Sequence, residues 1–148
     1  MNIFKSVICH DYTVLRAQKR AIQLKTNGLH MVGMAWVANI LSIAGLVVIY
    51  YLASERRNEL YDLLFELHYW EVAGRVGIMI MLALIYFIPF AAFGGKANFL
   101  ETIQEFAHMP EKEQKAVASK GGNYFYFSLL LLFLIAAVIF YLVKVEGL

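Results

Sequence analysis

Cysteine is almost absent from this sequence of 148 residues, and its only copy is Cys9. A single cysteine excludes an internal disulfide, and it excludes the paired cysteines of a redox motif or a zinc site. The four histidines, His10, His30, His68 and His108, include no pair four residues apart that would share a helix face as metal ligands. We therefore predict no metal site and no cofactor, since a haem would need two of these histidines to be brought together by the fold.

Charge is absent from three long stretches of the chain. Residues 26–54, 76–95 and 121–143 contain no Lys, Arg, Asp or Glu, and they are 29, 20 and 23 residues long. A helix crosses the hydrocarbon core of a bilayer with about 20 apolar residues. The sequence predicts an all-α integral membrane protein, a bundle of three transmembrane helices over residues 29–53, 74–95 and 123–144, with amphipathic interfacial helices on both faces.

Catalytic signatures are missing as well. The sequence contains no nucleophile–base pattern and no phosphate-binding loop, and no segment between the predicted spans is long enough to bury a soluble catalytic core. Proton-coupled transporters usually place a charged side chain inside the membrane, and none occurs at mid-depth here. The net charge of +2 comes from scattered basic residues, which does not indicate a nucleic-acid partner. We predict that the protein is not an enzyme, has no catalytic residue and binds no nucleic acid.

Basic residues are distributed unequally between the two sides of the predicted bundle. Nine precede the first span or separate the second from the third, namely Lys5, Arg16, Lys19, Arg20, Lys25, Lys96, Lys112, Lys115 and Lys120, whereas the other side holds Arg56, Arg57, Arg75 and Lys144. Basic flanks stay in the cytoplasm. We predict a bacterial inner-membrane protein with a cytoplasmic segment 1–28 and an outer C-terminus at 145–148. Within the first segment we expect a short interfacial helix over residues 11–26, with Asp11 as its N-cap.

Small residues form a stripe on the first predicted span. Ala35, Ala38, Ser42 and Gly45 recur at spacings of three and four residues, so they share one side of a helix. Small side chains allow helix backbones to approach closely inside a membrane. Asn39 lies beside the stripe, and its amide needs a hydrogen-bond partner at that depth, so we expect it to face another helix. A second pair of small residues, Ala73 and Gly77, precedes and begins the second charge-free stretch. These six, with Asn39, are the candidate helix-packing residues.

Proline and glycine divide the second half of the chain. Pro89 removes a backbone donor and leaves the Ile85 carbonyl without its helical partner, which predicts a kink at Ile85–Pro89. The inner loop 96–122 is predicted to hold two short helices, the second beginning after Pro110 and ending at Gly121-Gly122.

Segment 54–73 has the pattern of an amphipathic helix on the outer face. Leu60, Leu63, Leu64, Leu67 and Trp70 share one side, while Glu55, Glu59, Asp62 and Glu66 form an acidic stripe. Four carboxylates spread along three helical turns do not converge on one metal ion. The stripe is therefore our candidate partner surface, and contact with water or with lipid headgroups is the alternative.

The general layout resembles that of many small inner-membrane proteins: toxin-immunity proteins, holin-like proteins and accessory subunits of larger complexes. That resemblance lies in architecture alone. Packing stripes without catalytic residues favour a non-catalytic protein that lies in the lipid bilayer and binds another membrane protein, as an accessory or assembly subunit or as an immunity-type inhibitor. The alternative is a self-assembling homo-oligomeric pore or channel, which Asn39, Ser42 and Pro89 would line or gate.

Overall fold

The computed structural model describes residues 2–17, 24–69, 71–93 and 96–144. These residues form six helices and no strand: α1 (Ile3–Ala17), α2 (Leu24–Ala53), α3 (Arg57–Tyr69), α4 (Glu71–Phe93), α5 (Lys96–Ala107) and α6 (Glu111–Lys144). The all-helical class predicted from the sequence is confirmed. The predicted outer C-terminus, 145–148, lies outside the described residues.

Within the part of the chain that the structure describes, two helices are long and apolar enough to cross a membrane. They cover Gly28–Ala53, with a mean hydropathy of 2.2, and Glu111–Lys144, with a mean hydropathy of 2.7. Within α4 the apolar stretch that the structure describes is shorter and covers Val72–Ile88. Length and hydropathy therefore give weak support for membrane insertion through α2 and α6.

The N-terminal helix differs from the one expected over residues 11–26. Helix α1 begins at Ile3, because Asn2 caps it: the Asn2 side-chain oxygen accepts a hydrogen bond from the Phe4 amide at 3.0 Å. Asp11 lies in the middle of α1, where it is buried, and is not an N-cap. The expectation rested on Arg16, Lys19 and Arg20, of which Arg16 lies near the end of α1, while residues 18–23 lie outside the described residues.

The long helix α6 also differs from expectation. It starts at Glu111, directly after Pro110, and continues through Gly121 and Gly122 to Lys144. The sequence predicted a helix end at this glycine pair and a separate third span from residue 123. Both glycines are buried within a continuous helix, so they serve a contact between helices and do not end one.

The best-packed part of the molecule lies where α1, α2 and α6 meet. Its buried apolar cluster comprises Val7, Ile8, Leu29, Val32, Ala35 and Phe125. Helix α5 packs beside α1, and a smaller cluster there joins Cys9, Phe106 and Ala118. Helix α4 packs against α2 and, at its start, α3. The half of the bundle where α1, α2 and α6 meet is therefore compact, whereas α4 packs against α2 with one of its sides.

Candidate functional site

The stripe of small residues on α2 lies at its contact with α6. Ala35, Ala38, Ser42 and Gly45 are all buried, and a Cβ added at Gly45 would overlap the side chain of Ile135. The Ser42 hydroxyl donates to the carbonyl of Ala38 at 2.7 Å and is satisfied within its own helix. The stripe therefore brings α6 close to α2 within one chain.

Asn39 is half-buried beside this stripe and contacts the same helix. Its side-chain Nδ2 donates a hydrogen bond to the hydroxyl of Tyr124 on α6, at 2.7 Å. This bond joins residues 85 positions apart in the chain. The polar residue expected to face another helix therefore does so within the monomer.

Ala73 and Gly77, the second pair of small residues, are arranged differently. Both are exposed, and a Cβ added at Gly77 would meet no atom within 4 Å. They lie on α4, on the side opposite the half-buried residues Leu82 and Tyr86. Unlike the α2 stripe, this pair has no helix against it among the described residues.

The C-terminal half of α4 carries the contact with α2. A Cβ added at Gly33 would lie 2.9 Å from the carbonyl oxygen of Tyr86, and the Tyr86 hydroxyl forms a hydrogen bond with His30 Nδ1. Ile85 is half-buried. Pro89 lies inside α4, which continues to Phe93, and its side chain is outside the described residues. The kink at Ile85–Pro89 stays a prediction.

The acidic stripe begins just before α3, at Glu55, and continues along that helix. Glu55, Glu59, Asp62 and Glu66 are all exposed. Arg56 forms an ion pair with Glu59 at 3.3 Å, a surface contact that contributes at most about 1 kcal/mol. The apolar side chains Leu63, Leu64 and Phe65 are exposed on the same helix. Apolar and acidic groups of α3 are thus both open to the surroundings.

Gly121 and Gly122 form a helix crossing that the sequence analysis missed. A Cβ on Gly121 would overlap the backbone of Ser6, and one on Gly122 would lie 2.6 Å from the ring of His10. Helix α1 therefore packs with its backbone directly against α6. The signal was present as two adjacent glycines, but the same pair is also common at helix ends.

The described residues do not assemble a metal site. No group of three or more His, Cys, Asp or Glu side chains among them is placed to hold a metal ion. Burial raises the pKa of the Cys9 thiol to about 12, so at neutral pH it is protonated and a poor nucleophile. Two of the predicted site features are exposed among the described residues: the pair Ala73 and Gly77 on α4, and the acidic stripe.

Comparison with known proteins gives no family. No protein-family model matches the chain, and neither a curated protein nor a solved structure matches it.

Proposed function

We propose that this chain is an integral membrane protein with three spans, a cytoplasmic N-terminus and an outer C-terminus, which binds another membrane protein. Its role is that of an accessory or assembly subunit or an immunity-type inhibitor. The length and hydropathy of α2 and α6 support two of the spans, and the charge-free stretch 76–95 supports α4 as the third. The nine basic residues on one side support the orientation, in a membrane such as the bacterial inner membrane.

The observation that carries the partner proposal is the exposed face of α4. We use this name for Ala73, Gly77, Ile80, Met81, Leu84 and Ile88, which follow helical spacing and are all exposed. They lie on the side of α4 that points away from α2. The face combines two small residues near one end with large apolar residues beyond them.

The presence of Gly77 favours a face that binds a partner helix over a face that contacts lipid alone. Inside a helix, Gly is less favourable than Ala by about 1 kcal/mol, and close approach of another backbone offsets that loss. Elsewhere in the chain a Cβ on Gly28, Gly33, Gly45, Gly121 or Gly122 would come within 3.2 Å of another helix. Gly77 has the same residue type but no such neighbour. A helix from a second protein, packed over Ala73 and Gly77, accounts for it.

The pore alternative has less support from the side chains that would line it. Asn39 is hydrogen-bonded to Tyr124, and Ser42 is bonded to its own helix and buried. The lumen of an oligomeric pore would need polar side chains on the outer surface of the monomer, and the exposed face of α4 carries apolar ones. The acidic stripe on α3 is a second contact surface in this proposal, suited to a basic segment of the partner outside the membrane.

Capture from native membranes in a gentle detergent, followed by native mass spectrometry, tests the proposal. We expect the tagged chain to retain a second protein at fixed stoichiometry and Gly77→Leu to lose it, because a leucine there blocks backbone approach, while its Cβ meets no atom within 4 Å in the monomer. Ala83→Leu is the matched control, since it makes a similar size change on α4 about a third of a turn away.

Two outcomes would contradict the proposal. If the chain that carries both Gly77→Leu and Ala73→Leu still captures the second protein, the exposed face of α4 is not the interface. A closed homo-oligomer with no second protein in the eluate moves the assignment to the pore, and ion flux through the purified chain in liposomes then becomes the deciding measurement.

A further inference from the structure

A cavity of about 350 Å³ lies between α2 and α6, and it is open to the surroundings, since Asn123, Phe127 and Leu131 of its lining are exposed. Its lining residues are Asn39, Asn123, Tyr124, Phe127, Ser128 and Leu131. Three of these side chains carry an amide or a phenol, and two are large and apolar. The cavity thus joins a polar wall to an apolar one.

The polar wall has hydrogen-bonding capacity to spare. Asn39 uses its Nδ2 group on Tyr124, but its Oδ1 atom has no hydrogen-bond donor among the described residues. The amide of Asn123 likewise has no partner within the part of the chain that the structure describes. An amide oxygen left without a donor in hydrocarbon is unfavourable. An occupant that donates a hydrogen bond would remove that cost.

The position of the cavity along α2 restricts what enters it. Asn39 lies 14 residues after Lys25 and 14 before Ala53, the last residue of α2, which puts it about 21 Å along the helix from either position. Asn123 lies three residues beyond Lys120. If α2 and α6 span the bilayer, the cavity extends from the inner boundary toward mid-depth. A molecule can therefore reach Asn39 from the inner interface or from the lipid phase.

The chemistry of the lining indicates the class of molecule. Among the residues that the structure describes, no charged side chain lines the cavity, so a phosphate drawn to this depth would find no countercharge there and would lose its hydration. A plain acyl chain would leave the amides unsatisfied. An uncharged lipid that carries a hydroxyl group meets both requirements, because its hydroxyl donates to Asn39 Oδ1 and its chain lies along Phe127 and Leu131.

We propose that the cavity between α2 and α6 binds an uncharged, hydroxyl-bearing lipid, with Asn39 and Asn123 as its hydrogen-bonding residues. A diacylglycerol and a lipid-soluble quinol share this chemistry. The site is independent of the partner interface, because the exposed face of α4 contributes no residue to it.

A second cavity provides an internal comparison. It measures about 230 Å³, and its lining residues are Met34, Val37, Ala38, Tyr86, Leu129 and Leu132. Leu131 and Leu132 are adjacent on α6, yet each lines a different cavity. Leu131→Trp therefore fills the proposed site, and Leu132→Trp fills the comparison cavity. Neither substitution removes a partner of the Asn39–Tyr124 hydrogen bond.

The test is photolabelling of the full chain in phosphatidylcholine nanodiscs with a diazirine-bearing diacylglycerol, with labelled peptides located by mass spectrometry. We expect label on residues 123–131, reduced about tenfold by Leu131→Trp and unchanged by Leu132→Trp. Unlabelled dioctanoylglycerol should compete, whereas phosphatidic acid with the same chains should not. Competition by a decyl benzoquinol alone would keep the proposal and assign the quinol as the ligand.

Three results would overturn the proposal. Label that persists in Leu131→Trp locates the lipid elsewhere. Equal competition by phosphatidic acid and dioctanoylglycerol means that the hydroxyl is not recognised. The third result combines two observations: the diacylglycerol probe leaves no label at residues 123–131, and the quinol does not compete with a diazirine-bearing quinol probe. Together they mean that the cavity does not hold this class of lipid.

Discussion

At the residue scale, Asn39 separates what a sequence can predict from what it cannot. An amide at the centre of a charge-free stretch must find a partner, so its orientation toward another helix could be predicted. Its partner could not, because the identity of Tyr124 depends on the register between α2 and α6. That register follows from contacts such as Gly45 against Ile135, which local sequence does not encode.

Asp11 is the residue whose environment differs most from its predicted role. A helix N-cap would be exposed and hydrogen-bonded to backbone amides, whereas Asp11 lies buried within α1. Its Oδ2 atom has no hydrogen-bond partner among the described residues. Burial raises the pKa of this carboxyl above 3.8, and the neighbouring His10 opposes that rise.

Replacement of Asp11 by asparagine should make stability less dependent on pH. Well below pH 3.8 the carboxyl is protonated in both the folded and the unfolded chain, so it contributes no difference. As the pH rises through the raised pKa, the unfolded chain gains more from ionisation and the folded state loses stability. We expect Asp11→Asn to unfold at a higher temperature than the native chain at neutral pH, with the gap closing below pH 3.8.

Thermal unfolding in detergent, followed by circular dichroism across that pH range, measures this. Glu105→Gln is a suitable control, since Glu105 is an exposed carboxyl near the same helix and makes a long contact of 4.0 Å with Lys5. An Asp11→Asn variant that is less stable than the native chain at neutral pH would mean that the ionised carboxylate is favourably paired.

At the element scale, the crossing of α1 and α6 was the least predictable feature. Two adjacent glycines indicate either a helix end or a place where backbones touch, and the flanking residues do not distinguish these. The presence of Ser6 and Val7 against Gly121 decides for the contact. Helix α1 was equally hard to place, because the short apolar run Val7–Ile8 is too brief to establish a helical period.

A methyl group at the crossing should loosen the compact half of the bundle. The Cβ of Gly121→Ala would overlap the backbone of Ser6, which cannot rotate away, so α1 must move. Overpacking of this kind typically costs about 1–3 kcal/mol. Gly77→Ala is the control: nothing lies near its Cβ, and removal of a helix glycine stabilises by up to about 1 kcal/mol.

Unfolding titrations in mixed micelles measure the free energy of unfolding of Gly121→Ala and of Gly77→Ala. The α1–α6 contact predicts that the two alanine substitutions change the free energy of unfolding in opposite directions. Equal effects, or a Gly121→Ala chain as stable as the native one, would mean that α1 does not pack on α6 at the glycine pair.

At the scale of the whole molecule, hydrophobic runs predicted the helical class and the positions of the long helices. Residues 29–53 and 123–144 fall inside α2 and α6, because long uncharged stretches leave a chain few alternatives to helix in lipid. The tertiary arrangement was not predictable in the same way. The face of α4 that lacks a packing partner depends on where along α2 the helices α4 and α6 make their contacts.

The three-span topology depends on whether α4 crosses the membrane. Helix α2 would place Glu59 outside the membrane, and only a crossing by α4 returns Lys112 to the cytoplasmic side. If α4 does not cross, Glu59 and Lys112 lie on the same side. The two positions therefore distinguish three spans from two.

Cysteine accessibility in bacterial spheroplasts tests this most directly. Cys9 is replaced by alanine, and Glu59→Cys and Lys112→Cys are introduced separately; both sites are exposed in the folded chain. A membrane-impermeant maleimide should label Glu59→Cys in intact spheroplasts and Lys112→Cys only after permeabilisation. Labelling of both positions from the outside, or of both only after permeabilisation, would contradict the three-span account.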